Sequence, residues 1–213
     1  MRTEHSQRDL DALFGQIRES LESAHRAREQ ALRLSREVVQ HAANAIRAVH
    51  RGDAAVAEAS LHAAASLLQQ IAASLERHPE FRHAGYVQDA LKEFAEAQAT
   101  AALVRGEPLP SPEALGVNAS AYLNGLGEAA QELRRYILDA IRHGDLARCE
   151  ELLDRMEDIY TGLMAFDFPD AITGGLKRTT DMLRGVLERT RGDLTMALRQ
   201  HALEQRLAKL EES

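Results

Sequence analysis

The chain carries one cysteine, Cys149, in 213 residues, so it cannot close an internal disulfide and needs no oxidising compartment. A reducing, cytoplasmic setting is the expectation. Aromatic residues amount to 4% with no tryptophan, and five prolines and 13 glycines supply little turn material, which excludes a β-rich core. Lysine is nearly missing as well, since only Lys92, Lys177 and Lys209 accompany the arginines. The most apolar stretch, 61–75, is diluted by alanine and broken by His62, Gln69 and Gln70, and the first residues are polar. Neither a membrane span nor a secretory leader is expected. A net charge of −7 argues against a protein that coats nucleic acid with its whole outer surface, though it leaves room for a local basic groove.

Helical periodicity and helix punctuation fill the chain. Apolar residues recur at three- and four-residue steps from Leu10 to Val49, which predicts one long helix over 7–50. Its stop is His50-Arg51-Gly52, with Gly52 in the place of a left-handed cap and Asp53 ready to cap the next helix, 54–77. Pro79 breaks the chain, and Val87, Leu91, Phe94 and Leu103 carry a third helix to about Arg105. Residues 106–117 hold three prolines and read as a long loop. Asn118 or Ser120 then caps a fourth helix that ends at His143-Gly144, where Asp145 caps a fifth. After the FDFPD turn, Pro169 suits the first position of a helix, and a last helix, softly interrupted at Gly174-Gly175, Gly185 and Gly192, runs to about Glu211. The expectation is an all-α domain spanning 1–213, a bundle of six or seven helices. Alanine-rich faces bury little area inside one protomer and point to a homo-oligomer.

No nucleophile elbow, Walker loop, dinucleotide fingerprint or zinc-ligand spacing is present. A Glu-x-x-His spacing lies on the first helix, Glu22 to His25, whereas a ferritin-like di-metal bundle needs such a motif on each of two long helices and two further glutamates on facing helices. More informative are two glutamate pairs in otherwise apolar helical surroundings. Glu93 and Glu96 are three apart and Glu128 and Glu132 four apart, so each pair shares a helix face. If the two faces converge, neighbouring carboxylates about 4 Å apart repel by roughly 4 kcal/mol at an effective dielectric near 20, and protonation or a hard cation must relieve them. An all-oxygen ligand set favours Mg²⁺ or Mn²⁺ over zinc, and these ions favour phosphoryl chemistry. Solvated glutamate pairs on outer faces are the alternative.

At these residues the sequence resembles a known family. KEFAEA (92–97), AYLNGLGEAAQELRRYILDAIRHGD (121–145) and LLDRMEDIYTGL (152–163), in this order, are similar to translin and translin-associated factor X (TRAX), and SREVVQHAANAIRAVHRGD (35–53) matches the family's opening region. TRAX-type chains carry an acidic set that translin-type chains lack, and Glu93, Glu96, Glu128 and Glu132 match it, with glutamate in place of aspartate at 128. The resemblance therefore implies a TRAX-like, Mg²⁺- or Mn²⁺-dependent endoribonuclease that cuts single-stranded or partly unpaired RNA and leaves 5′-phosphate and 3′-hydroxyl ends. A translin-like chain that binds single-stranded RNA or DNA without cutting is the alternative, and a helical scaffold with no nucleic-acid role is a third. The family also implies octamers enclosing a hollow interior, with the acidic sites facing inward beside arginines that meet the RNA. Candidates are Arg36, Arg47 and Arg51, Arg82 with His83, and Arg134 and Arg135.

Overall fold

The computed structural model describes residues 2–211, with side chains for 10–210. Six long helices form the bundle: α1 (Arg2–His50), α2 (Ala54–Ser74), α3 (Gly85–Arg105), α5 (Ala119–Arg142), α6 (Leu146–Met164) and α8 (Leu176–Glu211). Two single turns, α4 (Pro112–Leu115) and α7 (Asp170–Thr173), and a 3₁₀ turn over Pro79–His83 lie between them. No strand occurs among the described residues, and no helix there is long and apolar enough to cross a membrane.

The local punctuation works as its chemistry requires. Gly52 and Gly144 adopt φ of 72° and 76°, and the Asp53 and Asp145 carboxylates accept from the backbone N–H of Val56 and Arg148 at 3.2 Å. Asn118, not Ser120, caps α5, accepting from the Ala121 N–H at 2.9 Å. Four expectations change. The 106–117 loop contains α4, because Ser111 caps it and Pro112 opens it. α2 ends at Ser74, three residues before Arg77. Pro169 precedes α7 as its cap residue and does not open it. Gly174-Gly175 is a full break, with φ of 61° and 85°, whereas Gly185 and Gly192 lie inside an unbroken α8.

The bundle has two halves that share one seam. α1 packs on α2 and α3, while α5 packs on α6 and α8. α3 and α5 join the halves, so α3 is covered on both sides and is buried at Phe94, Ala95, Ala97, Ala99, Ala101 and Ala102. Small residues let the two backbones approach. At the crossing, a Cβ on Gly125 would stand 2.6 Å from the Lys92 carbonyl oxygen and 2.9 Å from the Glu96 nitrogen, so only glycine fits. On the other side of α5, buried Asn124 donates to the Thr173 carbonyl at 2.7 Å and accepts from the Thr179 hydroxyl at 2.6 Å, which ties α7 and α8 to the seam.

Candidate metal centre

The close crossing at Gly125 determines which carboxylates meet. Ligand oxygens of Glu93 and Glu96 on α3 and Glu128 on α5 all lie within 4.8 Å of one another, Glu96 buried and the others half-buried. Burial is the largest influence on Glu96, and the charges of Glu93 and Glu128 add to it, so its carboxyl is pushed up to about 8 and holds a proton at neutral pH. The nearby ammonium of Lys92 opposes this shift, and Glu132 reinforces it. Lys92 itself donates from Nζ to Glu128 Oε2 at 2.5 Å and lies 3.2 Å from Glu93 Oε1. Burial alone would lower its pKa, but its bonds to the two glutamates outweigh that and raise it, so it stays charged.

Glu132 faces a different partner. His50, in the last turn of α1, donates from Nε2 to Glu132 Oε2 at 2.8 Å, across 82 residues of sequence. This bond is the main reason the Glu132 carboxyl lies below the ordinary range; burial opposes it, and the charges of His50 and Arg135 assist. The His50 side chain is 2% exposed, and its Nδ1 is buried without a hydrogen-bond partner among the described residues. An ionised carboxylate only accepts, so the network assigns the proton to Nε2. Three of the four expected carboxylates therefore gather, while the fourth is held at their edge by a histidine.

Chemically, the trio is an all-oxygen set in which one carboxyl keeps its proton because it is buried beside two other carboxylates, a shift that Lys92 only partly opposes. That fits a hard divalent cation such as Mg²⁺ or Mn²⁺, whose charge would replace the proton on Glu96. Glu22 and His25 are exposed on α1 and belong to no group of three ligand residues among the described residues.

The expected basic residues divide by location. His83 lines a groove that also contains Lys92 and Glu128, and Arg135 is exposed and acts electrostatically on Glu132. Arg36, Arg51 and Arg82 are exposed, and Arg47 is exposed but bonded to Asn44 Oδ1 at 2.6 Å. Arg134 turns the other way, pairing with Asp193 at 2.8 Å and donating to the Thr190 hydroxyl at 3.2 Å, so it holds α5 to α8. Sequence reasoning missed Lys92 and His50 as members of the site. Lys92 left a trace as one of only three lysines, set directly before Glu93, but His50 read only as a helix stop.

No protein-family model matches the chain. An uncharacterised protein of Methanocaldococcus jannaschii is 32% identical over 186 residues, covering 86% of this chain and 82% of that protein. Two solved structures of the translin/TRAX-type protein AfC3PO, one of them a complex with duplex RNA, match with a TM-score of 0.78. They are 33% identical to this chain over 88% of its length and 97% of theirs. The chain belongs to the translin/TRAX family. A further translin/TRAX-type structure, apo-NeC3PO, shares the fold at a TM-score of 0.79 and 19% identity, over 86% of this chain and 96% of its own. The all-helical order on which the resemblance rested is therefore the family's fold, and the trio lies on its α3–α5 seam.

Proposed function

We propose that this chain is a Mg²⁺- or Mn²⁺-dependent endoribonuclease that cuts single-stranded or partly unpaired RNA and works as a homo-oligomer, with an octamer as the expected size. The observation that carries the reading is the convergence of Glu93, Glu96 and Glu128 within 4.8 Å. A complex of the relative AfC3PO with duplex RNA supports RNA as the ligand class. Exposed apolar residues on α1 (Leu10, Phe14, Ile17, Leu21) and on α8 (Leu203, Leu207, Leu210) support self-association.

Glu93, Glu96 and Glu128 would hold the cation, with Glu132 as the fourth carboxylate once it leaves His50. When bound, the ion supplies a water of lowered pKa and positive charge for the scissile phosphate. The protein's own groups do the rest. Lys92 keeps positive charge beside the carboxylates, so that a phosphate meets less repulsion. His50 keeps Glu132 ionised at the edge of the trio, so that no proton has to leave it when it joins the other carboxylates. Arg135 and His83 flank the cluster as contacts for RNA phosphates, and Arg36, Arg47, Arg51 and Arg82 are further candidates for the strand's path. Because the attacking group is water, the products carry 5′-phosphate and 3′-hydroxyl ends.

The test is cleavage of an end-labelled unstructured RNA with Mn²⁺, beside EDTA and a Glu93→Gln/Glu128→Gln variant. Cutting that needs the metal and is lost in the variant supports the reading, whereas 2′,3′-cyclic phosphate ends or cutting in EDTA would sink it. One observation favours a second reading: Lys92 already sits on Glu93 and Glu128, so the trio has a built-in counter-charge. On that reading the chain binds single-stranded RNA or DNA without cutting, and RNA would be retained but intact in the same assay.

A further inference from the structure

A groove of about 880 Å³ opens directly beside the carboxylate trio, sharing Lys92 and Glu128 with it and running between the 3₁₀ turn and the α7–α8 corner. Its volume lies in the range of pockets that enclose a nucleotide-sized molecule. Besides the exposed carboxylate of Asp89, its walls carry polar groups that could meet a phosphate and large apolar side chains. Arg178, in the first turn of α8, is an exposed cation and His83 an exposed imidazole, neither with an ion pair among the described residues. Ile172 and Met182 are large apolar side chains left 65% and 52% exposed. The wall that bears them is rigid, because Asn124 bonds both Thr173 and Thr179, the residue after Arg178.

We propose that this groove is a subsite for an unpaired ribonucleotide next to the bond being cut, with Arg178 and His83 on its phosphate and Ile172 and Met182 against its base and sugar. The inference rests on the nuclease reading for its place in the reaction, but not for binding itself. Continuity with the trio decides what the groove serves, since a strand crossing Glu128 must enter or leave through it. A guanidinium and an imidazole beside apolar surface match the alternation of phosphate and base along one strand. A base inside a duplex has both faces stacked and offers none to Ile172 or Met182, so the groove takes an unpaired residue. An aliphatic and a thioether surface read no base edge, so the contact is indifferent to sequence.

The test measures binding of a fluorescent, unstructured eight-nucleotide RNA in EDTA, where a metal-dependent cut is silent, over a series of salt concentrations. Arg178→Ala is expected to weaken binding roughly five- to tenfold and to make the salt dependence shallower by about 0.7 in log–log slope, the signature of one lost phosphate contact on a single strand. Arg178→Lys restores the slope. Ile172→Ser/Met182→Ser weakens binding of the RNA, but not of an abasic strand of equal length, and leaves the slope unchanged. Because both side chains are exposed, these variants should fold, and Arg191→Ala, which breaks a surface pair with Glu157, serves as the control. An Arg178→Ala protein with wild-type slope and affinity overturns the subsite. Mn²⁺-dependent cutting by the wild type is scored separately. Binding with both groove signatures but no cutting keeps the subsite and removes the nuclease; cutting with an unchanged Arg178→Ala slope does the reverse; a wild type that binds no RNA in EDTA overturns the subsite, and one that also cuts none with Mn²⁺ removes both.

Discussion

Glu96 and Glu132 stand on facing helices, each a helical step beyond another glutamate, the first buried and the second partly so, yet their carboxyls move in opposite directions. Glu96 has no hydrogen-bond donor strong enough to offset its burial and its neighbouring charges, so it is pushed up to about 8. Glu132 accepts from His50 Nε2 at 2.8 Å and is drawn below the ordinary range although burial opposes the change. The difference shows that burial alone does not decide the charge of a carboxyl: Glu96 keeps its proton chiefly because it is buried, with other carboxylates beside it, whereas at Glu132 a hydrogen-bond donor outweighs the burial. It also divides the site into a part poised to exchange a proton for a cation and a part already ionised.

The largest expected effect attacks the Glu96 side. Between about 4.5 and about 8 the folded protein holds a proton on Glu96 that the unfolded chain has released, so stability falls as pH rises through that window. At about 1.4 kcal/mol per unit the loss amounts to a few kcal/mol in EDTA. Urea melts from pH 5 to 8.5 should show this slope, Glu96→Gln should flatten it, and Mn²⁺ should restore stability at pH 8 in the wild type but not in the variant. Persistence of the slope in Glu96→Gln would break the comparison.

Gly125→Ala tests the crossing that creates the contrast. The added methyl would stand 2.6 Å from the Lys92 carbonyl oxygen, so α3 and α5 must separate, at about 1–3 kcal/mol. Glu96 should gain water and titrate closer to an ordinary glutamate, with Glu132 unmoved; carboxyl titration by NMR reads both.

His50→Leu should make the two glutamates converge. Glu132 loses its donor and titrates higher, and because it can reach water the cost is only about 1–2 kcal/mol. In the wild type this bond's contribution is present above the ordinary glutamate range and is lost on acidification through the lowered value, so the variant should have a weaker acid transition. An unchanged Glu132 titration would show that the bond does not set its charge.

Lys92→Met is the mildest probe. Removing a charge that holds Glu96 down should move its titration further up while Glu132 stays in place, as seen by the same NMR experiment.

The turns show how much of this was legible in the chain itself. HRGD (50–53) and RHGD (142–145) read alike, and both form the same glycine stop and aspartate cap. The histidines nevertheless part company. His143 is exposed and its Nδ1 bonds the Asp139 carbonyl oxygen of its own helix at 2.7 Å, whereas His50, one position earlier in the motif and so about 100° around the helix, turns inward to Glu132. Likewise the shared faces of Glu93 with Glu96 and of Glu128 with Glu132 follow from spacing, but Arg134, two residues past Glu132, turns to Asp193 on α8, a partner no local pattern names.

By itself the sequence determined the six long helices, the glycine stops and caps at Asp53, Asn118 and Asp145, and which glutamates share a face, because each of these depends on bonds and periodicities spanning a few residues. Tertiary structure alone decided that Glu93, Glu96 and Glu128 meet while Glu132 is held by His50, and that Lys92 rather than an arginine stands among them. Desolvation and Coulomb energy depend on distance in space, and that distance is set where α3 and α5 cross at Gly125.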